Sequence, residues 1–297
     1  FDEKCPLVLI NLIHLHFHKN AGIMKTGNIF HKLFFNGLVL LSALYVNAQY
    51  YEYKPIENFG GKSQLHEFLS SEMVYPAKAL SEKVEGRVVI HFGVNKMGEV
   101  TYSDIQQSVS DDLDAEALRL FRYFLWEPAA YRSTPVDDEA VMEVDFKIKK
   151  YQRNVKKRGY DQIIYPYSLV DSSFTIFKPA QLTRPPRPIF EKQGMRFADF
   201  IQQNMVYPSV ALKQSISGMV EMFFVVEPTG RVSNIKLLKS VSGGCNEEAV
   251  RLLKMLSWAP GIHGEKAVRT EMIMQIRFNL ADFQEMRYIP PSNNNQF

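Results

Sequence analysis

Few residue groups in this sequence are of a type and spacing that could do chemistry. Gly60-Gly61-Lys62-Ser63 has the ending of a phosphate-binding loop, in which backbone amides and a lysine cradle phosphate oxygens. That loop needs a glycine five residues before Gly61, and position 56 is Ile; it also needs a preceding strand, and Tyr53-Lys54-Pro55 makes a poor one. The four residues are read as a turn leading into a helix. Asp111, Asp112 and Asp114 could pair as general acid and base. No His stands near them in sequence, however, and acidic side chains there suit the positive end of a helix. His14, His16 and His18 alternate in the manner of metal ligands, but within a leader that reads as dispensable. Cys5 and Cys245 are the two cysteines, too few for a disulfide framework. Cys245 is read as incidental, with a disulfide-linked dimer as the alternative. No catalytic, cofactor-binding or metal-binding set is assigned.

What remains able to act is the main chain. Residues 139–148 and 271–280 each alternate apolar and polar side chains, the mark of a strand with one dry and one wet face. Met142, Val144, Phe146 and Ile148 form the dry face of the first segment; Met274, Ile276, Phe278 and Leu280 form that of the second. Each segment closes its unit with no later strand to pair with, leaving a row of amides and carbonyls for a partner. The candidate partner-binding residues are therefore Glu139, Glu143 and Asp145 in the first strand, and Glu271, Ile273, Gln275, Arg277 and Asn279 in the second. The second strand carries fewer guarding charges and is expected to be the binding copy, unless the connector or the other repeat covers it.

The elements that position these strands occur twice. Tyr75-Pro76, Gly86, Gly98 and Trp126-Glu127-Pro128 recur as Tyr207-Pro208, Gly218, Gly230 and Trp258-Ala259-Pro260, each pair 132 residues apart. A constant offset means a tandem duplication, without insertion or deletion. Within each copy, a helical stripe (Leu65, Phe68, Leu69) ends before Tyr-Pro. Alternating strands follow, Val88 to Val94 and Val220 to Val226, each closed by a turn with Gly98 or Gly230 where φ must be positive. A second helix carries Leu113, Ala117, Leu120 and Phe124 on one stripe, and Trp126 or Trp258 is expected to end it. The fold class is α+β: two domains, each a three-stranded antiparallel sheet with two helices on one face. Their expected limits are residues 62–149 and 195–282, with residues 150–194 as a connector. The connector's basic start (Lys149 to Arg158) is read as a solvated face.

A chain of 297 residues with 46% hydrophobic content can bury two cores. Its net charge is +3. Setting aside residues 1–48, with Lys4, Lys19, Lys25 and Lys32 against Asp2 and Glu3, leaves +1, which argues for neither nucleic acid nor anionic lipid. Residues 24–48 follow the grammar of a secretory signal: Lys25 and Lys32, an apolar run, then Ala48 as the small residue before cleavage. The run is short for a membrane anchor, the alternative reading. Residues 1–23 precede this signal and are read as a mis-extended leader.

Taken together, Tyr-Pro, Glu85-Gly86-Arg87-Val88, the Gly turn, Glu116-Ala117-x-Arg119, Trp-x-Pro and the final apolar strand resemble the TonB carboxy-terminal domain; the second copy, with Pro228-Thr229-Gly230-Arg231-Val232, matches more fully. The resemblance implies a non-enzymatic, periplasmic protein-binding module that adds a partner's segment to its last strand, with no cofactor, no nucleic acid and no small-molecule substrate. The implied partners are cell-envelope proteins, TonB-dependent outer-membrane transport receptors foremost. It also implies an alternative, a membrane-anchored energy transducer that couples proton motive force to transport. Against that alternative, the apolar run is short, His31 lies ahead of it, and no long Pro-rich spacer precedes residue 62. A structural envelope protein with no transport role is the second alternative.

Overall fold

The computed structural model describes residues 53–190 and 194–281. The chain divides into two compact units, Phe1–Tyr53 and Lys54–Phe297. The expected leader, signal peptide, Cys5 and histidine cluster lie outside the described residues. Both repeats and the connector belong to the second unit. No helix among the described residues is long and apolar enough to cross a membrane.

The first repeat runs α1 (Gly61–Glu72), α2 (Ala77–Ser81), β1 (Gly86–Val94), β2 (Val100–Gln107), α3 (Asp111–Phe121) and β3 (Asp138–Phe146), and α4 (Ile148–Arg158) follows it. Its sheet is antiparallel in the order β2-β1-β3. The connector contributes a short strand, β4 (Ile176–Phe177). The second repeat runs α5 (Phe197–Asn204), α6 (Ser209–Lys213), β5 (Gly218–Val226), β6 (Val232–Lys239), α7 (Cys245–Met255), β7 (Gly261–His263) and β8 (Lys266–Phe278). Its principal strands keep the order β6-β5-β8, with β7 and β4 also pairing with β8.

The two-residue period of β1 puts Val88, Ile90, Phe92 and Val94 on the dry face, where none is more than 1% exposed. Met142, Val144 and Phe146 join them from β3, and Phe68, Leu113, Ala117, Leu120 and Phe121 from the helices. Val220, Met222 and Phe224 stand at the same places in the second core. Burying each such side chain stabilises the fold by roughly 1.5–3 kcal/mol. Cys245 is fully buried where the first core has Leu113, and burial pushes its thiol pKa up. It packs as a small hydrophobe.

The repeated residues repeat their contacts. The Tyr75 hydroxyl donates to the Val84 carbonyl at 2.5 Å, and Tyr207 to Ile216 at 2.6 Å. Pro76 and Pro208 stand at the N-caps of α2 and α6. Glu116 accepts from the Val74 amide and pairs with Arg119, which donates to the Glu72 carbonyl. Glu248, Arg251 and the Asn204 carbonyl repeat this clamp. Gly98 and Gly230 have φ of +85° and +80°, and a Cβ there would lie 2.7 Å and 2.3 Å from the Trp126 and Trp258 carbonyl oxygens. The turn glycine and the Trp-x-Pro segment are therefore one device: the turn closes only where a bare backbone can lie against the tryptophan carbonyl.

Three sequence expectations need correcting. Trp126 and Trp258 do not end their helices, which stop at Phe121 and Met255. Their backbones are extended because each joins a short ladder, Asn58 opposite Trp126 and Pro188 opposite Trp258. The first-copy strand ends at Phe146, not Ile148, whose amide is taken by the Glu85 carboxylate at 2.6 Å as α4 begins. The basic run is not wholly a solvated face. Tyr151 is buried, and Arg158 donates to the Ser71 and Met73 carbonyls, satisfying acceptors at the end of α1.

Candidate functional site

The main-chain direction of the last strands can be read from the connector. The Ala267 amide donates to the Leu169 carbonyl, and the Ala267 carbonyl accepts from the Asp171 amide, both at 2.9 Å. Residues two apart on a strand turn their amides to the same side. Glu271, Ile273, Gln275 and Arg277 therefore aim amide and carbonyl at the outer edge of β8. The first repeat has the same register, Gly86 opposite Phe146 as Gly218 is opposite Phe278. Glu139, Val141, Glu143 and Asp145 likewise aim outward from β3. Asn279 lies one residue beyond the end of β8.

The outer edge of β3 has no ladder partner among the described residues along all nine of its residues. On its wet face, Arg87 reaches Glu143 at 2.7 Å and Asp145 at 2.8 Å, and His91 lies 3.2 Å from Glu139. The hydrogen bond from Arg87 holds the Asp145 carboxyl below the usual range. Val141 stands among these charges, 54% exposed. Behind the edge, on the helix side, a groove of about 50 Å³ is lined by Leu69 of α1, Met73 just beyond it and Tyr151 of α4, together with the polar side chains His66, Lys150 and Asn154. A strand laid on β3 would direct alternate side chains into it.

The outer edge of β8 is shorter. Val170 bridges to Ala267, and β4 pairs in parallel with Arg269 and Thr270, so the connector fills the edge up to Glu271. Glu271–Phe278 has no outer ladder partner among the described residues, and Ile273 is 60% exposed.

The other edge of this sheet meets the first repeat. The Gln64 side-chain amide donates to the Ile235 carbonyl and its oxygen accepts from the Ile235 amide, both at 3.2 Å, so a side chain caps β6 as a strand would. Asn234 accepts from the Leu125 amide and donates to the Tyr123 carbonyl. Beside them Arg269, 4% exposed, pairs with buried Glu227 at 2.9 Å and donates to Tyr123 at 2.7 Å. Arg231 pairs with buried Glu72 at 2.6 Å. Burial raises the Glu72 pKa, against the pull of Arg231. Gln64, Glu72, Arg231, Asn234 and Ile235 line a cavity of about 280 Å³ formed from both repeats. Sequence reasoning missed this polar junction. Its signal was present in the differences between copies, where Glu227, Arg231 and Arg269 replace Asn95, Glu99 and Asp137.

A family model described as Gram-negative bacterial TonB protein C-terminal matches residues 71–148 and again residues 203–280. The chain belongs to this family. Every paired motif residue, from Tyr75 to Pro128 and from Tyr207 to Pro260, falls inside the matched spans. Among solved structures the chain is similar to the solution NMR structure of Pseudomonas aeruginosa TonB CTD, with 22% identity and a TM-score of 0.24 over 32% of this chain and 86% of that one. No curated protein matches. Two TonB carboxy-terminal domains in tandem thus present two last strands, one without an outer ladder partner among the described residues and one partly occupied.

Proposed function

We propose that this chain is a periplasmic binding module that engages cell-envelope proteins, TonB-dependent outer-membrane receptors foremost, by adding their extended segments to the last strand of a TonB-like domain. The observation that carries the reading is the outer edge of β3, where Glu139, Val141, Glu143 and Asp145 aim amides and carbonyls outward with no ladder partner among the described residues. Proteins protect such an edge unless they use it. Main-chain bonds supply affinity there, and the groove beside the edge supplies selectivity. The reading is non-enzymatic, because the site's working groups are main-chain amides and carbonyls. It places the primary site on the first copy. Glu271, Ile273, Gln275 and Arg277 of the second copy form a shorter site next to the connector's own strand.

In cells, a photo-crosslinking side chain at Val141 of the full chain should give adducts with outer-membrane receptors. Glu143→Pro, which removes one outward amide from an edge strand, should abolish them without unfolding the domain. Receptor adducts from the same probe on β2, at Thr101, with none from Val141, would place contact elsewhere and reject the reading.

A further inference from the structure

From Phe146 to Tyr160 every charged side chain is Lys or Arg, with Asp145 and Asp161 as the flanking acids. α4 buries Tyr151 and packs Ile148 and Val155 on the first core. At 3.6 residues per turn the opposite side of the helix carries Lys149, Arg153, Lys156 and Lys157, all exposed. Among the described residues none of these four makes an ion pair or a side-chain hydrogen bond. The other cations of the run are occupied. Lys147 and Lys150 share a groove with His66, Glu143 and Asp145, and both help hold the Asp145 carboxyl low. Arg158 donates to carbonyls at the end of α1. A shallow depression on the outward side is lined by Lys149, Gln152, Arg153 and Lys156, without a carboxylate.

This arrangement works against the helix that carries it. Arg153 has a like charge four residues away on each side, at Lys149 and Lys157, and such pairs destabilise a helix. Lys149 also stands in the first turn, at the positive end, where the helix has no acidic side chain of its own. Glu85 reaches that end, but on the Ile148 amide. Lys156 and Lys157 suit the negative end and need no such account. The second copy has no such run: 132 residues after Lys149, Lys150 and Arg153 stand Ala281, Asp282 and Glu285. A face that weakens its own helix and is missing from the matched copy fits a use outside the domain.

We infer that the outward side of α4 docks the chain on an anionic phospholipid surface. Its cations spread along one exposed helix, so they meet a broad layer of phosphates rather than one ligand in a cleft. None of Lys149, Gln152, Arg153, Lys156 and Lys157 is aromatic or aliphatic, so the contact stays at the level of the headgroups. Each cation held near such a surface raises partitioning about fivefold. The near-neutral balance of the whole chain does not oppose this, because salt screens charges beyond about 8–10 Å. An acidic protein segment would meet the same charges but find here no sheet edge to fix it. The inference goes beyond strand addition at β3 and does not depend on it.

The test uses the chain from Gln49 onward, whose two cores lie in one compact unit. It measures co-sedimentation with phosphatidylcholine vesicles made with and without phosphatidylglycerol. Binding is expected with phosphatidylglycerol alone, and added salt should release it. Lys149→Glu with Arg153→Glu should weaken it by about tenfold or more. That variant should melt no lower than the parent, since it relieves the repulsion along α4. Lys213→Glu with Lys266→Glu makes the same charge change at exposed sites of the second repeat and should leave most of the binding. Equal losses in the two double variants would overturn the inference, by making net charge the cause. No binding that depends on phosphatidylglycerol would also overturn it. So would binding to soluble polyglutamate without binding to vesicles, which would assign the face to an acidic protein partner.

Discussion

The two repeats share their frame and differ in what their surfaces are asked to do. In each, a tyrosine hydroxyl, a Glu-Arg clamp and a glycine lying on a tryptophan carbonyl make the same contacts at the same offset. Among the described residues, the first repeat leaves the outer edge of its last strand without a ladder partner, and its wet face is charged. The second spends both sheet edges internally, β6 on Gln64 and part of β8 on the connector. One copy therefore serves as platform and the other as exposed sheet, a division that duplication permits because each copy keeps its own core.

Substitution at matched positions can break or sharpen that comparison. The largest effect is expected at Arg269. Removing it strands buried Glu227 without its partner, so Arg269→Ala should cost about 3–5 kcal/mol by chemical denaturation. The matched change Asp137→Ala should cost no more than about 1 kcal/mol, since it removes one exposed bond to the Lys96 amide. Equal costs would mean that the junction is not what separates the copies. Next come the turn glycines. Gly230→Ala and Gly98→Ala should each destabilise by about 1–3 kcal/mol, Gly230 the more because its Cβ would approach closer. A stabilised variant at either place would refute the shared device. Smaller is Gln64→Ala, at about 1–2 kcal/mol through the uncapped Ile235 backbone, whereas its counterpart Arg196→Ala, an exposed side chain paired with Asp199, should be nearly silent in the same melts.

The smallest expected effect is a difference in pH response. Burial raises the Glu72 pKa, so its contribution is fully present below the ordinary glutamate range and is lost as pH rises through the raised value. Asp145, lowered by Arg87, acts in the opposite sense: its contribution is present above the ordinary aspartate range and is lost as pH falls through the lowered value. Glu72→Gln should therefore compare worst with the parent chain in acid, and Asp145→Asn worst near neutral pH. Parallel pH profiles for the two variants would contradict these assignments.

The core of each repeat was legible in the sequence because it follows from local rules. Val88, Ile90, Phe92 and Val94 keep strict alternation, the turn places glycine where φ is positive, and every feature recurs at one offset. The open edge was legible for the same reason, since no strand follows β3 within its unit. The residues at the junction were not, because Glu227, Arg231 and Arg269 read locally as ordinary surface charges. Their burial depends on a neighbour far along the chain, which periodicity does not reach. Comparing the copies would have found them, as places where one carries a charge that the other lacks or opposes. The connector misled for a related reason. Its basic run looked solvated, yet Arg158 finds three carbonyls around the end of α1, a set of acceptors that no spacing in the sequence announces.

The open edge of β3 also has a mechanical direction. The outward amides and carbonyls of Glu139, Val141, Glu143 and Asp145 lie in one line, parallel to any strand that joins them. A joined strand pulled along its own axis loads all the bridging hydrogen bonds together, and they resist as a set. The same strand pulled sideways from one end loads them one after another and peels away under a much smaller force. A contact of this shape grips under tension in one direction and lets go in another, without any change in its equilibrium affinity.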